Sequence, residues 1–231
     1  MNAGRIRIWD VPTRLFHWML VLSVAAAIVT GKVGGNLMVW HGRIGLLIVG
    51  LLAFRLAWGI VGSTYARFAQ FLPTPRKLVA YLKGTRTDPG HSPLGALAVF
   101  AFLGLLLVQA ATGLVSNDDI AFYGPLYELV GRAVSNRLTG IHQQLPAVLM
   151  AMVALHVSAI VFYAVRRNQN LVKPIITGWK EDSEGEPARG GGLPAFVIGV
   201  FVSPAAVYGA AGAWIQQPPP SPEQDQSTPD W

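Results

Sequence analysis

The chain has 231 residues, of which 52% are hydrophobic and only 13% charged. Soluble globular chains carry about 25% charged residues, so a water-facing globule, a disordered chain and a coiled coil are excluded together. There is no cysteine, which removes disulfides, thiolate-bound zinc, iron–sulfur clusters and a Cys-x-x-Cys-His haem attachment. What remains is an integral membrane protein in which any cofactor must be held by His, Met, carboxylate or backbone.

Five apolar stretches approach the ~20 residues that a bilayer core requires. They cover residues 15–30, 44–61, 94–115, 141–165 and 193–215. The first is followed by a Gly-rich tight turn over residues 31–36. Trp9-Asp10-Val11-Pro12 stands ahead of that first stretch and no clear small-x-small site follows it, which favours a retained span over a cleaved signal peptide. Ser92 and Pro93 supply an N-cap and a first-turn proline for the third span. Residues 116–139 carry Asp118, Asp119, Glu128, Tyr123 and Tyr127 and are expected to form a loop with a short surface helix. The tail 216–231, rich in Pro, Ser, Gln and acids, is expected to be disordered.

Charge asymmetry orients the spans. The segments before span 1, between spans 2 and 3 and between spans 4 and 5 hold 13 Lys/Arg, against three (Lys32, Arg132, Arg137) on the opposite side. By the positive-inside rule the N-terminus is cytoplasmic, and with five spans the C-terminus is periplasmic. The net charge of +6 therefore reflects topology, and no nucleic-acid partner is read from it.

Four of the five histidines fall within or at the ends of spans. His17 is near the cytoplasmic start of span 1, His41 opens span 2 on the outer side, and His142 and His156 lie on span 4. The fourteen residues between the last two leave them about 40° from exact alignment on one helix face and about 21 Å apart along the axis. His17 matches the depth of His156, and His41 that of His142. Two imidazoles from different helices at each of two depths is the arrangement that bis-His ligation of a haem requires. A lone intramembrane His is more often an interhelical hydrogen-bond donor; four at matched depths favour ligands. A copper or proton-relay site would more naturally gather the histidines at one level.

Neighbouring residues fit the same reading. Gly45, one turn from His41, would admit a porphyrin, and Gly104 and Gly113 could do the same. Pro146 removes the N–H that would bond the His142 carbonyl, which predicts a kink beneath that residue. Arg55 and Arg43 are candidate propionate partners; for each the competing reading is snorkelling to the headgroups. His91, just before the Ser92 cap, has no partner at its depth and is expected to be an exposed loop residue.

The chain resembles the bacterial dihaem cytochrome b family that includes the b-type subunit of nickel–iron hydrogenases and prokaryotic cytochrome b561. The similar segments are Trp9-Asp10-x-Pro-x-Arg14-x-Phe16-His17-Trp18, Trp40-His41-x-x-x-Gly45, Arg55-Leu-Ala-Trp58-Gly59 and Gly62-x-x-Tyr65-x-Arg67-Phe68. Gly90-His91-x-Pro93-x-Gly95-Ala96, His142, His156 and Asn170-Leu171-Val172 leading to Thr177-Gly178-Trp179-Lys180 complete the order. The resemblance implies an all-α four-helix transmembrane bundle holding two non-covalent b haems over residues 1–180, ligated by His17, His41, His142 and His156. A cytoplasmic linker (181–192), a fifth transmembrane helix (193–215) and a periplasmic tail (216–231) follow.

The leading expectation is a multi-pass cytochrome of the bacterial inner membrane. It would move electrons between the quinone pool and a periplasmic redox partner, a cytochrome c or a hydrogenase-like enzyme, with no catalytic side chain of its own. The runner-up is a stand-alone superoxide:quinone or metal-reducing oxidoreductase. The third is a haem-free membrane scaffold whose histidines bridge helices.

Overall fold

The computed structural model describes residues 4–84, 90–120, 122–181 and 186–215; the tail expected to be disordered lies outside them. The elements are β1 (Ile6–Arg7), α1 (Val11–Val33), α2 (Met38–Val61), α3 (Phe68–Phe71), α4 (Pro75–Leu82), α5 (Pro93–Leu114), α6 (Gly131–Arg166), α7 (Val172–Thr177), β2 (Trp179–Lys180) and α8 (Gly192–Ala210). Five of these, α1, α2, α5, α6 and α8, are long and apolar enough to cross a membrane. The side of the bundle that carries the N-terminus is called the near side below, and the other the far side.

Local chemistry sets the helix ends. Asp10 caps α1, its Oδ1 accepting from the Thr13 amide at 2.7 Å, and Ser92 caps α5, accepting from the Gly95 amide at 3.1 Å. Both helices carry proline in the first turn, where no helical donor is lost. The turn between α1 and α2 uses Gly34 and Gly35 at φ of 68° and 55°, a conformation only glycine adopts without strain.

Three boundaries differ from the sequence reading. The fourth span begins ten residues earlier than its apolar run, at Gly131, so the last nine residues of the expected loop are the first turns of α6. Polar residues there are satisfied by the loop: the Asn117 amide group donates to Ser135 and Asn136 at 2.5 and 2.8 Å, and Ser135 Oγ donates to the Val115 carbonyl. The surface helix of that loop reduces to one 3-10 turn, Tyr127–Leu129. At the other end, α8 stops at Ala210, and Gly212 at φ 66° turns the chain where a Cβ would meet the Pro125 carbonyl at 2.3 Å.

α2 is the central helix, packed on α1, α5 and α8, while α6 leans chiefly on α5. Phe16, Ile48, Leu51, Leu52, Leu103, Leu106 and Leu149 form the core. The fifth helix is locked into the bundle by small-on-large packing. A Cβ on Gly50 would strike Val207 and Ser203, and one on Gly199 would strike Phe54 at 2.7 Å, the close approach that membrane helices use in place of a hydrophobic driving force. Leu22, Ile60, Leu155 and Phe201 face outward, as a lipid-facing surface requires.

On the near side the chain termini of the spans are tied together. β1 pairs antiparallel with β2, Ile6 opposite Lys180 and Arg7 opposite Trp179. The amides of Ile8 and Trp9 donate to the Gly178 carbonyl at 2.9 and 3.2 Å, and Arg14 donates to the Thr177 carbonyl at 2.6 Å. Asp10 is the hub: beyond its cap, Oδ2 accepts from Trp58 Nε1 at 3.0 Å and from Ser63 Oγ. Residues 186–190 dock on the end of α2, with the Thr64 amide donating to the Arg189 carbonyl at 2.8 Å and the Tyr65 hydroxyl to the Glu186 carbonyl at 2.6 Å.

D10A removes the cap and strands two part-buried donors at once. With about 1 kcal/mol for a cap and about 1–3 kcal/mol for each buried group left unpaired, it is expected to cost at least 2 kcal/mol, read as a fall in thermal midpoint in detergent, with D10N losing less.

Candidate functional site

The far-side pair of histidines converges. The rings of His41 (α2) and His142 (α6) lie 6.0 Å apart between centroids with their planes at 83°. Each is held from behind by a different helix. His41 Nδ1 lies 2.9 Å from the Ala27 carbonyl of α1, and His142 Nδ1 lies 2.9 Å from the Gln109 carbonyl of α5. A carbonyl only accepts, so Nδ1 carries the proton in both rings and each Nε2 keeps its lone pair. A metal-bound imidazole is held in the same way, its other ring N–H donating to a carbonyl that fixes the ring and its tautomer.

The two supports share a pattern. Four residues after each accepting carbonyl stands a glycine, Gly31 after Ala27 and Gly113 after Gln109. A Cβ on Gly31 would meet the His41 ring at 2.9 Å, and one on Gly113 the His142 ring at 2.7 Å. Gly113 therefore makes room for the imidazole itself, where the sequence suggested room for a porphyrin. Gly45 and Gly104 do face open space: a Cβ on either would touch nothing within 4 Å.

The near-side pair is His17 on α1 and His156 on α6. His17 packs edge-on to Trp18 and its Nδ1 is buried with no partner. His156 stands edge-on to Phe102 of α5 at 5.7 Å. Among the described residues no three His, Asp or Glu side chains gather into a metal-binding group. A pair of imidazoles without a third ligand is a donor set that would suit a metal bringing its remaining donors with it, as the iron of a porphyrin does. The converging His41 and His142 rings fit b haem, and the buried, unpartnered His17 Nδ1 is a free donor atom on the near side.

The cationic candidates separate. Arg43 is exposed and lies over the Trp40 ring at 5.1 Å. Arg55 is 3% exposed, donates to the Ala66 carbonyl at 3.2 Å and sits over the Phe68 ring at 4.6 Å, so it is held inside the protein and does not snorkel. The N–H groups at Arg14 Nε and Arg67 Nε are also buried without a partner.

His91 is not an exposed loop residue. Its ring packs between Trp9 (4.6 Å) and Phe71 (4.2 Å), and its Nδ1 is buried without a partner. Burial, with the Arg55 charge adding to it, pushes its pKa down to about 3. The aromatic partners come from β1–α1 and α3, distant in sequence, which is why local reading left it on the surface.

The sequence pattern of the family described as prokaryotic cytochrome b561 matches residues 8–178, from just after β1 to the glycine that closes α7. The chain belongs to the prokaryotic cytochrome b561 family. It is a membrane b-type cytochrome, and the family implies b-type haem. It is 24% identical over 155 residues to the "Probable Ni/Fe-hydrogenase 1 B-type cytochrome subunit" of Escherichia coli (strain K12), covering 53% of this chain and 66% of that one, just under two thirds of the relative's length. It is 26% identical over 222 residues to the "Probable Ni/Fe-hydrogenase B-type cytochrome subunit" of Azotobacter vinelandii, covering 79% of this chain and 91% of the relative. No solved structure matches. Sequence reasoning missed Ala27, Gly31 and Gln109; the carbonyl-plus-glycine spacing on two helices was a readable signal, but only once the facing histidine was known.

The burial of His91 makes the near side acid-sensitive. Folded, its ring stays neutral to about pH 3; unfolded, it takes a proton near 6.5. The unfolded chain binds more protons between those values, so stability is whole above pH 6.5 and falls below it by up to about 1.4 kcal/mol per pH unit. H91F keeps the aromatic packing and is expected to flatten the thermal midpoint against pH between about 6.5 and 4.5.

Proposed function

We propose that this cytochrome carries electrons across the bacterial inner membrane between the quinone pool and a periplasmic redox partner, through two b haems held by His41/His142 and His17/His156. The observation that carries the reading is the far-side pair, in which two helices fix both Nδ1 protons and the two rings come within 6.0 Å of each other. A bound b haem supplies a one-electron iron couple at each level.

The chain's own residues hold, orient and shield. The carbonyls of Ala27 and Gln109 set the ring tautomers; Gly31 and Gly113 let the rings seat; Gly45 and Gly104 add no side chain to the open space beside them. On the near side, buried Arg55, with the unpaired N–H groups of Arg14 and Arg67 around the same end of the bundle, offers countercharge suited to propionate carboxylates, and Arg43 offers it on the far side. None of these groups needs to make or break a bond, so the rate depends on spacing and potential.

Positive charge on the N-terminal side supports a cytoplasmic N-terminus, which makes the far side periplasmic. The hydrogenase-subunit names of the relatives, one of them aligned over 91% of its length, favour a hydrogenase-like partner over a cytochrome c. A stand-alone superoxide reaction would want an open cationic funnel on that face; Arg132 there is instead paired with Asp119 at 3.0 Å, which favours a protein partner.

The purified protein is expected to show a reduced b-type spectrum with two haems per chain. H41A and H142A should each lose the far-side haem alone, and H17A and H156A the near-side haem alone. Fewer than one haem per wild-type chain would refute the reading. G31A, whose added methyl collides with the His41 ring, is expected to lower far-side occupancy while sparing the near side.

A further inference from the structure

His142 and His41 are not held alike. The His41 ring is supported by one carbonyl, and residue 45, which bonds its own main-chain carbonyl in a regular helix, is a glycine with an N–H. For His142 the equivalent residue is Pro146, inside α6, so the His142 carbonyl has no helical donor four residues on. Gln109 fills that gap. Its Nε2 donates to the His142 carbonyl at 3.1 Å while its own carbonyl accepts from His142 Nδ1 at 2.9 Å. The same amide nitrogen also stands 3.4 Å from His142 Nε2, a long and weak contact beside its bond to the carbonyl. Its Oε1 is buried with no partner, an unfavourable state for an amide that is offset here by what the NH2 does.

We propose that Gln109 and Pro146 act together as a clamp that orients the His142 imidazole and lowers the reduction potential of the far-side haem. The proposal rests on the reading of His142 as a ligand. Physically, a strong Nδ1–H···O=C bond pushes electron density toward Nε2, and a more basic ligand favours the more highly charged oxidised iron. Without the Gln109 amide, the His142 carbonyl is left bare in a water-free bundle, α6 must shift against α5, and the Nδ1 bond on the same residue pair loosens. Pro146 makes the clamp necessary, since any other residue there would satisfy the carbonyl within the helix. Gln109 is a positioning residue, acting on the iron only through His142.

The test is a redox titration of the full-length protein, with two haems resolved spectroscopically, for wild type, Q109L, P146A and the double variant. Q109L is expected to raise the reduced-to-oxidised ratio of the far-side haem about tenfold at fixed ambient potential, equal to 59 mV for a one-electron couple, with the near-side haem unmoved. P146A restores an N–H to the His142 carbonyl, so Q109L in that background should change the ratio less than about threefold. An unchanged far-side potential in Q109L overturns the proposal, as does an undiminished shift in the P146A background. If Q109L loses the far-side haem, its return in Q109L/P146A supports the clamp and its loss in both backgrounds overturns it. H142A separates the two levels of the claim: retention of both haems refutes His142 as a ligand, whereas loss of one haem alongside an inert Q109L refutes only the clamp.

Discussion

Two hydrogen bonds organise the far side of this protein, those from the imidazole Nδ1 atoms of His41 and His142 to mid-helix carbonyls of α1 and α5. In a bilayer core no water is available to satisfy a stray donor, so a ring N–H aimed at a helix must find a carbonyl with a free lone pair. Ala27 and Gln109 provide it at positions where the carbonyl already serves its own helix. The close approach this needs is possible only because the next turn presents glycine. Each histidine is therefore pinned by a helix other than its own, and the lone pair left on Nε2 has one direction to face. The convergence of the two rings follows from how α1 packs on α2 and α5 on α6.

The near side obeys the same accounting with different parts. There Asp10 accepts from an amide, an indole and a hydroxyl belonging to α1, α2 and the turn after α2, and the β1–β2 pairing ties the entry of the first span to the exit of the fourth. These contacts bring the Trp-Asp and Thr-Gly-Trp-Lys segments, some 170 residues apart in sequence, into one assembly. His91 is enclosed by the same construction, and its neutral ring is the consequence of being walled in by Trp9 and Phe71 beside a buried cation. The near-side histidines are less fully framed: His156 is exposed on a helix that leans on α5.

Legibility in sequence divides along the range of the interaction. Hydropathy located all five spans, because burial in lipid is a property of each segment alone, and the caps at Asp10 and Ser92 with their following prolines are local as well. The start of α6 was misjudged since Ser135 and Asn136 are polar by composition, yet Val115 and Asn117 on the preceding loop satisfy them. Arg55 and His91 were misjudged for a related reason: whether a polar side chain reaches solvent depends on which distant residues close over it.

By itself the sequence determined a membrane bundle and the depth of each histidine along its helix, because rise per residue and span length are fixed by backbone geometry. It also excluded thiolate ligation, since there is no cysteine. Only the tertiary structure decided which nitrogen of each ring is free, that Gly113 seats a histidine and that Gln109 serves the carbonyl that Pro146 leaves unpaired. Those facts depend on the rotation of one helix against another to within a fraction of a side chain, and no periodicity in a single chain encodes that rotation.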